Sequence, residues 1–319
     1  MSLVDLEPAE KDELVRTLAA IPQFVGTSLD GPVIERIGGL TNRNYKVTIG
    51  EESYVLRLAG AGTSEYIDRE AEAHNARIAA ETGVNAELLF FDRSSGTMLC
   101  RYVLDSLTMS AETFRHHDRV ARAADAFRRM HACERPFRNR FDVFAQIDEY
   151  LALLRRNRAR IPDGYGELQK EAETARAVLA ARPALLAPCH NDPLAENFLD
   201  TGERMYLVDW EYAGMNDPMW DLGDLSVEAG FGPEQNTALL RAYFDGEAPA
   251  EAAGRMVLYK GLCDLVWTLW GLIQVMNDNP VDDFWAYSIN RFERCGRLMR
   301  SPEFEQALAA VRAASKPAD

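Results

Sequence analysis

The chain has few cysteines, no excess of basic residues and no long apolar run. Its five cysteines are scattered over 319 residues without any Cys-x-x-Cys spacing, which argues against a zinc site or a disulfide framework. A formal net charge of −15 disfavours nucleic acid and anionic membranes as partners. The most apolar stretch (265–276) is interrupted by polar side chains and is short for a bilayer, and the acidic N-terminal residues are unlike a signal peptide. We therefore expect a cytoplasmic globular protein with reduced thiols and without membrane insertion.

A change of periodicity divides the chain into two parts. After a helical pattern over about residues 9–20, five runs alternate as β-strands do, with turn signals such as Gly38-Gly39 between them. These runs are VIERIG (33–38), NYKVTI (44–49), SYVLRL (53–58), AELLFFD (86–92) and TMLCRYV (97–103). A helix is expected over about 65–81, between the third and fourth runs, with Gly83 as its C-terminal signal.

Helical periodicity dominates after residue 110. The expected helices cover about 116–133, 145–158, 166–182, 219–229, 233–244, 252–277 and 281–299, and a short β pair is expected around NFLD and MYLVDW. We predict an α+β fold of two lobes with a cleft between them. The first lobe (1–103) is a small antiparallel sheet with one long helix, and the second (104–319) is larger and mainly helical.

The stretch PCHNDPLAEN (188–197) concentrates hydrogen-bonding side chains around a proline, which indicates a loop. Asp192 is followed five residues later by Asn197, and Asp209 ends the apolar strand MYLVDW. Phosphoryl transfer needs a carboxylate for the acceptor's proton, and an amide oxygen and a second carboxylate for Mg²⁺. These residues have the H-x-D-x-x-x-x-N order of protein kinases. An Asx-rich turn would explain the loop alone, but not the strand ending in Asp209 or the β-rich part upstream.

Five motifs occur in a telling order: IGGLTNRNYKV, YVLRLAG, CHNDPLAENFL, LVDWEYAGMNDPMWDLG and LVWTLWGLIQ. Over nearly its whole length the chain resembles bacterial members of the choline/ethanolamine kinase family. That family belongs to the small-molecule kinases that share the protein kinase-like fold and include the aminoglycoside phosphotransferases. The resemblance implies an ATP- and Mg²⁺-dependent kinase with Asp192 as catalytic base and with Asn197 and Asp209 as metal ligands.

The resemblance also implies a nucleotide site in the first lobe. Its expected residues are Gly39, Thr41, Asn42 and Asn44 near the phosphates, Arg57 in place of the protein-kinase lysine, and Tyr102 and Val103 in the interlobe segment that faces adenine. A plain hairpin turn at Gly38-Gly39 and an edge strand at 100–103 are the alternatives.

The carboxylate partner of Arg57 has two candidates on the expected helix. Glu70 and Glu72 lie about 200° apart on a helix, so only one can face the cleft. Counting back from the ETGV that ends this helix in related kinases favours Glu72. In the loop itself, His190 is expected to be a structural hydrogen-bonding residue and Cys189 a packed side chain.

The acceptor site must come from the helical lobe. Trp267 and Trp270 lie three residues apart on an apolar helix and so share a face. From the helix alone, a position in the hydrophobic core explains both residues better than a position in a binding site. The family pattern adds Glu211, Tyr212, Glu228 and Tyr287. A quaternary ammonium group is bound by aromatic faces and nearby carboxylates. This set favours choline, or ethanolamine, as the alcohol substrate.

Other classes of function remain open from the sequence. A thiamine or aminoglycoside kinase would keep Asp192, Asn197 and Asp209 but lack the aromatic set. A nucleotide-binding regulatory pseudokinase would typically lack one of those three residues, and a regulator of another protein is compatible with such a fold. The sequence does not decide between choline, ethanolamine and another amino alcohol. It also leaves open the pathway and whether the chain forms a homodimer.

Overall fold

The computed structural model describes residues 7–26, 32–38, 42–60 and 67–314. Gly39 and Thr41, both expected near the phosphates, lie outside the described residues, as do residues 65–66 of the expected first-lobe helix.

The first lobe is built on an antiparallel sheet. Its strands are β1 (Val33–Gly38), β2 (Arg43–Ile49), β3 (Glu52–Leu58), β4 (Leu88–Phe91) and β5 (Met98–Arg101), in the order β1-β2-β3-β5-β4. All five predicted strands are present. Helix α1 (Pro8–Ala20) packs on this sheet because its Leu14 and Leu18 are fully buried with Ile34 and Val47 in one apolar cluster.

Helix α2 (Arg69–Glu81) lies between β3 and β4 in the chain and joins the two lobes. It begins at residue 69 because an Asp68 oxygen accepts the N–H groups of Glu70 and Ala71, both at 3.0 Å. Its Ala76 and Ile78 are buried in the core of the larger lobe. The sheet ends at residue 101, while α2 belongs partly to the core of the larger lobe. The predicted lobe boundary after residue 103 therefore stays a prediction.

The larger lobe consists mainly of helices. They are α3 (His117–His131), α4 (Val143–Arg156), α5 (Tyr165–Ala181), α6 (Met219–Glu228), α7 (Pro233–Phe244), α8 (Ala250–Met276), α9 (Phe284–Met299) and α10 (Pro302–Ala313). Seven of these were predicted and α10 was missed. Its start signals were in the sequence: Ser301 accepts the N–H of Phe304 at 3.3 Å, and Pro302 occupies the first helical position.

Helix α8 is the one described helix whose length and composition would suit a membrane span. In its most apolar window, however, 83% of the residues are buried inside the protein. The helix packs against α4, α6, α9 and α10. A helix that is apolar on all sides and covered by other helices has the placement of a core helix.

Short strands hold the loop that contains Asp192. They are β6 (Leu107–Thr108), β7 (Ala187–Cys189), β8 (Phe198–Asp200), β9 (Met205–Leu207) and β10 (Gly214–Asn216). The predicted pair is β8 with β9, whereas β6 on β8 and β7 on β10 were not foreseen. Runs of two or three residues carry no measurable periodicity. Because β7 ends and β8 begins at either side of the loop, these pairings fix both of its ends.

Candidate active site

The loop of residues 190–197 is held from within by Asp221 of α6. One Asp221 oxygen accepts the N–H of His190 and the other accepts the N–H of Asn191, both at 2.8 Å. His131 Nε2 lies 2.9 Å from the same carboxylate, and His131 Nδ1 lies 2.9 Å from the hydroxyl of Tyr243. Two charge-assisted bonds to consecutive backbone groups fix the start of the loop firmly.

His190 is structural, as the sequence analysis expected. Its Nε2 lies 2.9 Å from the carbonyl oxygen of Val208, and its ring packs against Trp210. Burial lowers the pKa of His190, so the neutral ring is favoured. Cys189 is fully buried beside it in the chain. Neither side chain is among the residues that line the cleft.

The three residues expected to carry the chemistry line one cavity of about 770 Å³ between the lobes. The side-chain nitrogen of Asn197 donates to the carbonyl of Asp192 at 3.0 Å, which ties the two ends of the loop together. Asp209 follows β9 after one residue and has a φ of +69°. Left-handed backbone is uncommon outside glycine but is adopted most readily by Asn and Asp. That conformation turns the chain sharply where Asp209 meets the cavity.

Asp192 lies in a strongly negative environment. Burial raises the pKa of its carboxyl well above the usual value, and the charges of Glu228, Asp209 and Glu211 raise it further, while Arg291 lowers it. Carboxylates raise one another's pKa when they converge without enough cations between them. A cavity with this excess of negative charge is suited to cationic ligands.

Arg57 of β3 is the centre of a buried charge cluster on the first-lobe side of the cavity. It forms an ion pair with Glu72 of α2, and its Nη1 lies 3.4 Å from Asp209. The Arg57 and Glu72 side chains are 2% and 1% exposed. Glu70 instead lies at the surface, where it pairs with Arg93 at 3.3 Å. The expected pairing of Arg57 with Glu72 is therefore confirmed.

Glu211 joins this charge cluster. Its Oε2 accepts a hydrogen bond from Asn42 at 3.1 Å and lies 3.6 Å from Arg69 Nη1. Burial, with Asp209, raises the pKa of Glu211 to about 7. One oxygen each of Glu72, Asp209 and Glu211 lies within 4.8 Å of the others. Asp209 and Glu211 offer oxygen ligands of the kind that a hard divalent cation such as Mg²⁺ prefers, whereas the Glu72 oxygens are paired with Arg57 and Arg69. The sequence analysis grouped Glu211 with the acceptor residues, but its contacts are with this cluster.

The interlobe segment after β5 borders the same cavity. Tyr102 and Val103 line it, as does Asn44 of β2. Val103 packs against a small apolar cluster of Ala86, Met98 and Cys100. Apolar walls of this kind suit a planar heterocycle.

Aromatic rings from three segments line another part of the cavity. Ring centroids lie 5.3 Å apart for Tyr212 and Trp267, 6.5 Å for Trp267 and Trp270, and 5.8 Å for Trp270 and Tyr287. Phe284, which sequence reasoning missed, packs on Trp270 at 5.6 Å. Trp267 is only 4% exposed, yet it lines the cavity. Trp267 can therefore belong to the hydrophobic core and line the candidate site at the same time.

Two charged side chains lie among these rings. Glu228, at the end of α6, lines the cavity together with Arg291 of α9, and an Arg291 nitrogen lies 2.7 Å from its carboxylate. Sequence reasoning missed Arg291. It follows Tyr287 by four residues on α9, so helix geometry places the two side chains on one face.

Known proteins match both the sequence and the fold of this chain. The model of the family described as choline/ethanolamine kinase matches residues 33–240, which is more than half of the chain. The chain belongs to the choline/ethanolamine kinase family. It is accordingly a kinase of the protein kinase-like fold, a phosphotransferase with an alcohol group as acceptor.

Four comparisons show how far the similarity extends. A choline/ethanolamine kinase family protein from Mesorhizobium loti is 51% identical in sequence, with a TM-score of 0.85 over 95% of this chain and 99% of that one. Choline kinase LicA from Streptococcus pneumoniae is 26% identical, with a TM-score of 0.77 over 91% and 99% of the two chains. A LicA structure in complex with AMP is 25% identical to this chain, with a TM-score of 0.71 over 88% of this chain and 96% of that one. A probable ethanolamine kinase from Arabidopsis thaliana is 25% identical over 81% of this chain and 77% of its own.

Proposed function

We propose that this kinase transfers the γ-phosphoryl group of ATP to the hydroxyl of choline, with Mg²⁺, to give phosphocholine, and that ethanolamine is the alternative acceptor. The observation that carries the proposal is that Asp192, three members of the charge cluster (Arg57, Asp209 and Glu211) and the aromatic rings all line one cavity. Choline kinase LicA, which shares the fold, supports choline as the acceptor.

The nucleotide belongs with the charge cluster in this proposal. Arg57, held by Glu72, presents a guanidinium fork to the phosphates, and Tyr102 and Val103 border the base. Asn197 and Asp209 hold Mg²⁺, with Glu211 nearby. The metal, when bound, neutralises charge on the phosphates. The LicA complex with AMP supports the use of an adenine nucleotide.

The acceptor alcohol belongs with the rings. Tyr212, Trp267, Trp270 and Tyr287 surround the trimethylammonium group, whose positive charge is attracted by π faces. Glu228 and the net negative charge of the cavity add long-range attraction. The hydroxyl then lies near Asp192, which accepts its proton. A cytoplasmic location remains part of the proposal, supported by five free cysteines.

A coupled ADP-release assay with ATP and Mg²⁺ tests the proposal across choline, ethanolamine, thiamine and kanamycin. We expect turnover to be highest with choline, lower with ethanolamine and absent after chelation of Mg²⁺. An Asp192→Asn preparation serves as the blank for contaminating kinases. Turnover of thiamine or kanamycin without choline or ethanolamine would assign the enzyme to another branch. No turnover of any alcohol, with nucleotide binding retained, would indicate a regulatory binding protein.

A further inference from the structure

A cation of the protein itself lies in the ring-lined part of the cavity. The guanidinium carbon of Arg291 is 4.4 Å from the ring centroid of Tyr287. The Arg291 side chain is only 6% exposed. At this distance the guanidinium makes a cation–π contact. One face of Tyr287 is therefore taken by the protein's own charge.

The same arginine engages both oxygens of Glu228. Arg291 Nη2 lies 2.7 Å from Oε1 and 2.7 Å from Oε2. In the part of the chain that the structure describes, Arg291 is the one basic side chain paired with Glu228. The Glu228 side chain is 8% exposed, so the pair is largely shielded from water. Both oxygens thus already accept from one guanidinium nitrogen before an acceptor alcohol enters, which leaves fewer lone pairs for a further donor.

Asp264 of α8 provides an internal comparison. Arg291 Nη1 lies 3.3 Å from Asp264, while Arg294 lies 2.7 Å and 2.5 Å from the two Asp264 oxygens. Asp264 therefore keeps a partner if Arg291 is removed, whereas Glu228 loses its own. The Arg294 side chain is 38% exposed and does not line the cavity. Arg291 and Arg294 thus share one carboxylate but differ in access to the acceptor.

The two acceptors of the proposed function place different demands on Glu228. A primary ammonium group donates three N–H bonds and needs free carboxylate oxygens to receive them. A trimethylammonium group has no N–H, and π faces with diffuse negative charge suffice for it. A carboxylate already bound to a guanidinium serves the second group better than the first.

We propose that Arg291 is a specificity-determining positioning residue: by engaging both oxygens of Glu228 and one face of Tyr287, it favours a quaternary over a primary ammonium acceptor. The inference rests on the proposed function. It predicts that freeing Glu228 improves ethanolamine relative to choline. Because Arg291 and Glu228 line the same cavity as Asp192, any effect on the chemical step is common to both acceptors, and the change should appear in the ratio of their kcat/KM values.

The test compares kcat and KM for choline and for ethanolamine in wild type, Arg291→Met, Arg291→Lys and Arg294→Met. We expect the choline-to-ethanolamine ratio of kcat/KM to fall about tenfold in Arg291→Met, the effect of about one hydrogen bond to a charged group. Arg291→Lys keeps a charged nitrogen for Glu228 but loses the planar group over Tyr287, so its ratio should fall less. Arg294→Met should leave the ratio unchanged while lowering the melting temperature, because the buried Asp264 loses its two hydrogen bonds to Arg294.

Several results would overturn the inference. An unchanged ratio in Arg291→Met, or an equal loss on both substrates with a lowered melting temperature, would make Arg291 a structural residue only. If Arg291→Met does not fold, Arg291→Lys decides, and an unchanged ratio there counts against the inference. Wild-type enzyme that phosphorylates neither choline nor ethanolamine would refute the proposed function and this inference with it. A wild type that turns over both, with ratios that do not move, would refute the inference alone.

Discussion

The two parts of the cleft are built from different chemistry. The part around Arg57 consists of buried charges contributed by β3, α2 and the turn after β9. The other part consists of rings contributed mainly by α8 and α9. Buried charges depend on their partners, because a charge that loses its partner keeps its full desolvation cost. A ring depends on its shape, and another ring can replace much of it. The two parts should therefore fail in different ways when mutated.

Asp192 lies in the cavity that both parts share, so its loss should have the largest effect. Asp192→Asn keeps the size of the side chain but cannot accept the hydroxyl proton. We expect kcat to fall about 10²–10⁴-fold, while the dissociation constant for ATP stays close to that of wild type. Steady-state kinetics with nucleotide titration measures both. Turnover close to wild type would remove Asp192 from the role of base.

The second largest effect is expected from a mutation that impairs the charged part of the cleft and leaves the aromatic part intact. Glu72→Gln leaves the buried Arg57 with Asp209 as its remaining carboxylate within 4 Å among the described residues. Removing one partner of a buried pair costs up to about 3–5 kcal/mol. We expect lower thermal stability and weaker ATP binding, with little change in the KM for choline at saturating ATP.

Glu70→Gln is the matched control for this change. It lies two residues away on the same helix and its pair with Arg93 is exposed, so its effect on stability should stay within about 0.5 kcal/mol. Similar losses of stability and of ATP affinity in the two variants would mean that the pair of Arg57 with Glu72 has no special role.

The sequence predicted these parts unequally, and the reason is physical. The loop of Asp192 and Asn197 is a contiguous motif, and Arg57 lies on a strand with clear alternation. Sequence reasoning also brought Trp267 and Trp270 to one face of a helix. It could not find Arg291 beside Glu228, because these residues are 63 positions apart and no local pattern joins them. Asp221 was missed for the same reason: it binds the backbone of His190 from 31 positions away.

The fold shows a similar limit. Strands of four or more residues and seven helices of the larger lobe could be predicted from periodicity. The two- and three-residue strands β6, β7 and β10 form through pairing with distant partners, which local sequence does not encode. Helix α10 differs from these, since its cap and its proline were readable and were overlooked. The assigned roles of the site residues stay predictions until kinetics tests them.

A smaller effect is expected from a mutation that impairs the aromatic part of the cleft and leaves the charged part intact. Trp267→Ala removes one π face, worth about 2 kcal/mol of cation binding, which corresponds to a rise of roughly thirtyfold in the KM for choline. Because Trp267 is 4% exposed, stability should fall as well, by several kcal/mol as for other large-to-small core changes. The decisive measurement is therefore the difference between substrates.

For Trp267→Ala, the KM for ethanolamine should rise less than that for choline, and the KM for ATP should not change. Trp267→Phe keeps a ring and should recover much of the loss. An equal loss on choline and ethanolamine would mean that Trp267 acts through packing only and that the ammonium group binds elsewhere.

The smallest effect should come from a single methyl group between α8 and α9. A Cβ atom on Gly271 would clash with the hydroxyl of Ser288 and would lie 2.7 Å from Cδ1 of Tyr287, which is closer than carbon atoms approach, so both side chains must move. Such overpacking costs about 1–3 kcal/mol. Gly271→Ala should therefore raise the KM for choline several-fold and lower the melting temperature, with the KM for ATP unchanged.

Gly166→Ala, in the first turn of α5 with nothing within 4 Å of the new atom, is the control and should stabilise the protein by up to about 1 kcal/mol. If Gly271→Ala raised the KM for ATP as much as that for choline, the two parts of the cleft would be mechanically coupled through α8 and α9. The charged part and the aromatic part would then differ in composition but would not function independently.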